Sequence, residues 1–497
     1  MERKAFKMLL KPDYQQEYEK RHAAIWPELR ILLYLFLFIC SAGSSFSQKM
    51  NHFEKNSIQP WGKNPRFWQY EGKPVMLLGA SDDDNLFQWP AELLVPHLDS
   101  MKKIGANYVR NTMSDRQDKG FEVFPFKETD DGRYDLNQWN EAYWKRFDFF
   151  LKETARRNII VQIELWDRFD YSQRNWDTNP YNPKNNINYT KEESGLKDAY
   201  PDHPGLNRQP FFFTTPQQQH NEILLTVQCR YMEKILSYTL NYNHILYCID
   251  NETSGEEAWS IYWRDFITSV AHKEGRNICV TEMWDDWNLR SSRHKRTFDY
   301  PDRYQFVEVS QNTHQTGEKL WDNIRWVHGY LEEKARPMNV VKTYGSDEGR
   351  YGTSREGIER WWLHLLGGAA AVRFHRPDAG LGLSELSISS IKAARKLESR
   401  VKLWDLKAES QSLIDGSGNK AYIAYKPDRV YLIFLPDGGS TALHLKETKA
   451  NYVVRYINLR TGEWLEKRPQ KMKMAGTTQF SAPDNHEWLI VITRLKQ

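Results

Sequence analysis

At 497 residues, 40% of them hydrophobic, the chain exceeds one ordinary domain and suits one large core with a smaller unit beside it. Its 69 basic and 65 acidic residues nearly cancel to +4, with no basic run or stripe, which argues against a nucleic-acid partner. None of the four cysteines (Cys40, Cys229, Cys248, Cys279) sits in a C-x-x-C pair, so neither a zinc ribbon nor a dithiol redox motif is supported, and no disulfide scaffold is expected.

In chain order, residues 1–30 come first, MERKAFKMLLKPDYQQEYEKRHAAIWPELR. Arg3-Lys4-Ala5-Phe6, Tyr18, Arg21-His22 and Ile25-Trp26-Pro27-Glu28-Leu29 closely resemble the start of L-rhamnose mutarotase. That resemblance implies a catalytic role for His22, but it stops near residue 30, so the segment reads as a truncated fragment. Residues 31–39, ILLYLFLFI, are too short to span a bilayer. Followed by small and polar residues, they match a signal-peptide core with cleavage near Ser47–Gln48. The expected protein is therefore secreted or periplasmic, with no membrane span once the signal is removed. Surface association stays open because of Cys40, although Ile39 is too bulky for a lipobox.

From about residue 64 short apolar runs alternate with longer amphipathic stretches, the mark of βα repetition. Strands are predicted at Val75–Gly79, Tyr108–Asn111, Ile159–Glu164, His244–Ile249, Asn277–Thr281, Phe306–Ser310, Asn339–Thr343 and Ala369–Phe374. Helices lie between them, for example Trp139–Asn158 and Gln217–Tyr242, which is the pattern of an α/β chain forming a (β/α)₈ TIM barrel over residues 48–395. The largest insertion, Asp170–Pro216, has no periodicity and reads as a structureless lid or cleft wall. Beyond residue 395, strands at Ala421–Tyr425, Val430–Leu435, Tyr452–Asn458 and Trp488–Thr493 predict a small antiparallel β-sandwich over 396–497.

Chemistry in a barrel gathers at the C-terminal ends of the strands. The residues just past the eight predicted strands are polar in succession: Ser81 to Asn85 with Asp83 among them, then Arg110-Asn111, then Glu164, Trp166 and Asp167. Next come Asp250-Asn251-Glu252, Glu282 with Trp284 and Asp285, Gln311-Asn312, Lys342 with Tyr344, and His375-Arg376. The chain holds 19 Trp, 26 Tyr and 23 Phe, and aromatic faces either stack on sugar rings or fill a large core; both readings stand. Arg110, Lys342, His375 and Arg376 either recognise acidic sugars or pair with nearby carboxylates. Asp82 to Asp84 lack the alternating spacing of a calcium loop, so no metal site and no cofactor is expected.

Asn251-Glu252 carries the sharpest signal. Glycosidic cleavage needs a protonated carboxyl at the leaving oxygen and a second carboxylate as nucleophile or base. Residues 64–495 resemble the apiosidase-like glycoside hydrolases. The stretches YLIFLPDGGS and YVVRYINLRTGEW are similar to a C-terminal domain of bacterial polysaccharide-degrading enzymes that is named for collagen binding. The first resemblance implies that Glu252 is the general acid/base and that Asn251 contacts the sugar 2-hydroxyl. It breaks at the seventh strand, where Asn339-Val-Val-Lys-Thr-Tyr-Gly places Tyr344 where the family has a nucleophilic Glu.

Three replacements stand open: Glu282 at the fifth strand end, taken first; Asp347 or Glu348 from the seventh loop; or Tyr344 itself, activated by a carboxylate. The sequence thus reads as a hydrolase of a polysaccharide or its oligosaccharides, rhamnose- or uronate-containing. Its catalytic residues would be Glu252 and Glu282. Substrate contacts are expected from Asp83, Arg110, Asn111, Trp166, Asp167, Asn251, Trp284, Asp285, Gln311, Lys342, Tyr344, His375 and Arg376. A non-catalytic carbohydrate-binding barrel is the rival reading, and oligomeric state is not encoded in any motif found.

Overall fold

The computed structural model describes residues 56–347, 349–409, 414–415, 420–445, 449–465 and 469–495. The mutarotase-like and signal-like segments, His22, Cys40 and Glu348 lie outside the described residues. Eight parallel strands form a nearly closed barrel: β1 (Leu77–Ala80), β2 (Tyr108–Thr112), β3 (Ile160–Asp167), β4 (Ile245–Asn251), β5 (Val280–Thr281), β6 (Val307–Glu308), β7 (Met338–Thr343) and β8 (Ala371–Phe374). Neighbours run in the order β5-β4-β3-β2-β1-β8-β7-β6. No ladder joins β5 to β6. Instead Thr281 Oγ1 donates to the Phe306 carbonyl at 2.8 Å, and Gln305 N to the Val280 carbonyl at 3.1 Å. Both strands are shorter than predicted because this seam is held by side chains and single bonds rather than by a run of paired residues.

Helices α1 (Ala91–Ile104), α2 (Glu141–Arg156), α3 (Glu222–Thr239), α4 (Glu257–Lys273), α5 (Ser292–Phe298), α6 (Gly317–Tyr330), α7 (Ser354–Leu366) and α8 (Glu385–Glu398) follow the strands in turn. Asn140 and Asn221 start α2 and α3 by accepting from backbone N–H groups of the first turn. At Gly79 a Cβ would lie 2.2 Å from the Tyr108 carbonyl oxygen, so only glycine lets β1 approach β2.

Inward-facing residues alternate along the strands, and many are polar. Tyr108 donates to Gln162 at 2.6 Å, and Asn339 donates to the same oxygen at 3.0 Å. One layer higher, Arg110 Nε meets Glu164 at 2.6 Å. Below them the hairpin strands Gln59–Trp61, Asn64–Tyr70 and Lys73–Val75, of which the sequence reading held only Val75 as the start of its first strand, bring Trp68 under the barrel. Its indole N–H reaches Asn339 at 2.9 Å and its ring packs on Phe306. The barrel is thus closed at its N-terminal end and open at the other.

The 170–216 insertion is not structureless. It contains short helices Gln173–Thr178 and Lys191–Ser194 and an aromatic cluster in which Tyr171 and Phe211 stack at 4.3 Å. Asn side chains order it locally: Asn182 donates to two carbonyls and Asn186 to two more, bonds that no periodicity reports.

The C-terminal region is a pair of antiparallel sheets. Strands 407–409, 422–426, 430–435, 488–494, 450–458 and 463–464 line up in that order, with 470–474 also on 450–458; strands 414–415, 440–444 and 477–481 form the second sheet. Both faces of the central strands are buried. Ile423, Ile433, Ile490 and Ile492 fill the space between the sheets, while Tyr422, Ala424, Leu432, Phe434, Leu489 and Val491 join the barrel core.

Candidate active site

The end of β4 sets the geometry. Asn251 closes the strand and Glu252 follows with φ +47°, a left-handed conformation that is costly for a non-glycine residue and gathers at functional sites. Thr253 then bridges to Trp284 beyond β5, with Thr253 N donating to Met283 O and Asp285 N to Thr253 O, each at 2.8 Å. This bridge places Glu252, just before Thr253, and Asp285, just after Trp284, side by side in one cleft of about 540 Å³. Arg110, Asn251, Lys342, Tyr344, His375 and Arg376 line the same cleft.

Three donors converge on Glu252 Oε1: Lys342 Nζ at 2.7 Å, Gln311 Nε2 at 3.1 Å and the Tyr344 hydroxyl at 3.3 Å. Lys342 also donates to Asn251 Oδ1 at 2.6 Å, and Asn251 Nδ2 to Asp167 at 3.0 Å. Burial alone would favour the neutral acid, but the Lys342 ammonium outweighs it, with smaller help from Arg110 and His375, and holds Glu252 at about 2. Asp285 moves the other way: burial first, then the charge of Glu252, raise its carboxyl above the usual range. Burial also pushes the Tyr344 phenol well up, reinforced by Glu252, and keeps His314 neutral at about 4.

The positive residues of the cleft are largely spoken for. Asp84 takes Arg110 at 2.6 Å and Arg373 at 2.9 Å, and lies 3.7 Å from both His375 and Arg376. Burial works against its charge, yet these neighbours hold it well below the usual carboxylate range. Arg116 bridges Asp167 and Asp170 at 2.8 Å each. Of the two readings of these cations, ion pairing is the one observed for Arg110, Lys342 and Arg376.

Several expected contacts are not cleft residues. Glu282 is fully buried, its Oε1 accepting from Asp250 N and Met283 N at 2.9 Å. Trp284 is buried with its indole N–H on Thr297 at 2.7 Å, and Trp166 lies among Tyr171, Phe211, Trp259 and Trp263. Asn111 is buried and accepts from Phe87 N. Asp167 and Gln311 stand behind the lining, supporting Asn251 and Glu252. Asp83 is held by Asp84 N and Trp89 Nε1 and faces a neighbouring groove, so Asp84 is the member of its run that enters the cleft.

The tryptophan that does face the cleft is Trp287, three residues beyond Trp284, 57% exposed and stacked on His314 at 4.2 Å. Phe169, His203, Arg350 and Tyr351 were also missed. They sit in short 3-10 turns and loops beyond the strand ends, where a strand-end reading stops too early. Among the described residues no group of three or more His, Cys, Asp or Glu is arranged to hold a metal ion.

Comparison with known proteins divides the chain in two. Residues 3–34 match the family model of L-rhamnose mutarotase. Over 33 residues the chain is 76% identical to the L-rhamnose mutarotase of Bacteroides thetaiotaomicron, which is 7% of this chain and 32% of that protein, so the match spans about a third of that relative's length. The L-rhamnose mutarotase of Phocaeicola vulgatus is 41% identical over 80 residues, 14% of this chain and 76% of its own length.

In fold the chain is similar to a glycoside hydrolase family 5 protein of Bacteroides vulgatus, with TM-score 0.59 and 12% identity over 89% of this chain and 94% of that one. A second structure, described as a glycoside hydrolase, gives TM-score 0.57 and 10% identity over 89% and 98%. At these identities the likeness is one of fold.

Proposed function

Through its N-terminal segment the chain belongs to the L-rhamnose mutarotase family, while the part from residue 56 onward has the fold of glycoside-hydrolase barrels, and on that premise we propose that the barrel hydrolyses glycosidic bonds. The substrate in this reading is a complex polysaccharide or its oligosaccharides, rhamnose- or uronate-containing. The observation that carries it is the pair Glu252 and Asp285, adjacent in one open cleft and displaced in opposite directions from their ordinary acidity. Such a pair divides acid from base. Glu252, kept ionised by Lys342, takes up protons and stabilises positive charge at the reacting carbon. Asp285, kept protonated more readily, gives its proton to the leaving oxygen. The acid half of the role first assigned to Glu252 passes to Asp285, because an ammonium 2.7 Å away opposes protonation of Glu252.

Residues 48–395 are the catalytic unit in this reading and 396–497 an accessory β-domain. No helix among the described residues is long and apolar enough to cross a membrane. The apolar run 31–39 supports action outside the cytoplasm, with cleavage near Ser47–Gln48.

The test is reducing-end release from a panel of rhamnose- and uronate-containing polysaccharides, comparing wild type with Glu252→Gln. A loss of about a hundredfold or more fits removal of an acid–base group. If nothing is cut and saturable binding survives the substitution, the protein is a carbohydrate-binding barrel and the catalytic reading falls.

A further inference from the structure

Tyr344 is set in the cleft as nucleophiles are set: its hydroxyl lies within reach of an ionised carboxylate that other groups orient. The hydroxyl donates to Glu252 at 3.3 Å, and Glu252 is fixed by Lys342 and Gln311. Tyr344 itself is held on several sides. Its backbone N donates to Thr313 Oγ1 at 2.8 Å, and its ring packs against His314, Tyr351 and His375 with centroids 4.8–5.3 Å apart. Tyr344 also lines the cleft in which Glu252 and Asp285 sit. Glu252 Oε1, by contrast, is capped by three donors, which leaves it little room to attack, and the Tyr344 hydroxyl is one of those donors, already placed to hand over its proton as its oxygen forms a new bond.

Resting on the hydrolase reading above, we propose that Tyr344 Oη is the catalytic nucleophile, with Glu252 as its base and Asp285 as the acid for the leaving group. In the first step Oη bonds to the anomeric carbon and the bond to the leaving oxygen breaks. That oxygen keeps the electron pair and takes the Asp285 proton, while the phenolic proton passes to Glu252. The phenol need not ionise beforehand. As Oη gains its third bond its proton becomes strongly acidic, so even a carboxylate weakened by Lys342 accepts it. In the second step water attacks the anomeric carbon and loses a proton to Asp285. The carbon–Oη bond then breaks and Oη recovers its proton from Glu252. One water is consumed, both carboxyl groups return to their starting states, and the anomeric configuration is retained. A tyrosine with a neighbouring carboxylate is an attested alternative to a carboxylate nucleophile in glycoside hydrolysis.

The experiment uses the full chain with 2-deoxy-2-fluoroglycosyl fluorides of rhamnose, galactose, mannose and galacturonic acid, followed by peptide mapping, alongside NMR of the product anomer from whichever polysaccharide is cut. A fluoroglycosyl adduct on Tyr344 with retained product is expected. Tyr344→Phe, which removes one oxygen from a packed ring, should lose at least a hundredfold in kcat with its melting temperature and substrate binding kept. An adduct on Glu252 or Asp285, an inverted product, or a Tyr344→Phe loss of only a few-fold overturns the assignment and leaves the hydrolase reading intact. No turnover on any substrate overturns both.

Discussion

At 2.7 Å from Glu252 and 2.6 Å from the Asn251 amide oxygen, the Lys342 ammonium is enclosed by the groups it organises, with only 3% of its side chain exposed. A carboxylate held at about 2 stays charged down to strongly acidic pH. Activity that needs the ionised form is present above that value and lost only as pH falls through it, so wild-type kcat/KM should show no acid-side inflection down to about pH 3. Lys342→Met removes the lowering influence, and Glu252 then rises with burial. The acid limb should move upward, into or above the ordinary carboxylate range, which a pH–rate profile of the two proteins reads directly. An unshifted limb would mean that Lys342 does not govern the essential group. The pairing was not legible in the sequence: Lys342, on β7, and Glu252, just past β4, are 90 positions apart, and only barrel closure brings them together.

Among the elements, β4 and β5 show what strand-end reading delivers and where it fails. Glu252 and Glu282 both follow apolar runs, and the sequence reading made the first the acid/base and the second its partner carboxylate. The structure separates them by the turn that follows. Glu252 takes a left-handed conformation and enters the cleft, while Glu282 turns down beneath the β4–β5 bridge onto two backbone N–H groups. Burial, then the charge of Asp250, push the Glu282 carboxyl well above its usual range, so Gln is a close mimic of its neutral form.

Glu282→Gln should therefore keep turnover within a few-fold of wild type, with any loss appearing in the melting temperature. A hundredfold loss of kcat in a protein that melts normally would return Glu282 to the chemistry. The two tryptophans near this bridge divide the same way. Trp284 and Trp287 are both polar-loop aromatics in sequence, yet one is core and the other exposed. Spacing alone does not reveal which side of a loop faces the barrel.

Over the whole molecule, fold class and strand order of the barrel were legible because eight apolar runs separated by amphipathic helices have few compact solutions. Four of the C-terminal strands were legible as apolar runs bounded by turns, while the strands at 414–415, 440–444 and 477–481, which make up the second sheet, were not. Leu432 and Phe434 face the barrel core rather than the space between the two sheets, so the β-domain packs directly on the barrel. The N-terminal hairpin strands were not predicted apart from Val75, which was joined to β1 because Val75 and Leu77 lie in one apolar stretch although they belong to different sheets. The polar layers inside the barrel likewise need partners from three or four strands, which no single segment contains.

All of this architecture opens onto one cleft, and its occupant decides the account. The most direct measurement is a crystal structure of Glu252→Gln soaked with the oligosaccharide that the wild type cuts. The account predicts a sugar whose anomeric carbon lies about 3–3.5 Å from Tyr344 Oη, whose glycosidic oxygen faces Asp285, and whose ring lies against Trp287. A sugar bound outside this cleft, or one whose glycosidic bond faces away from Glu252 and Asp285, would contradict it.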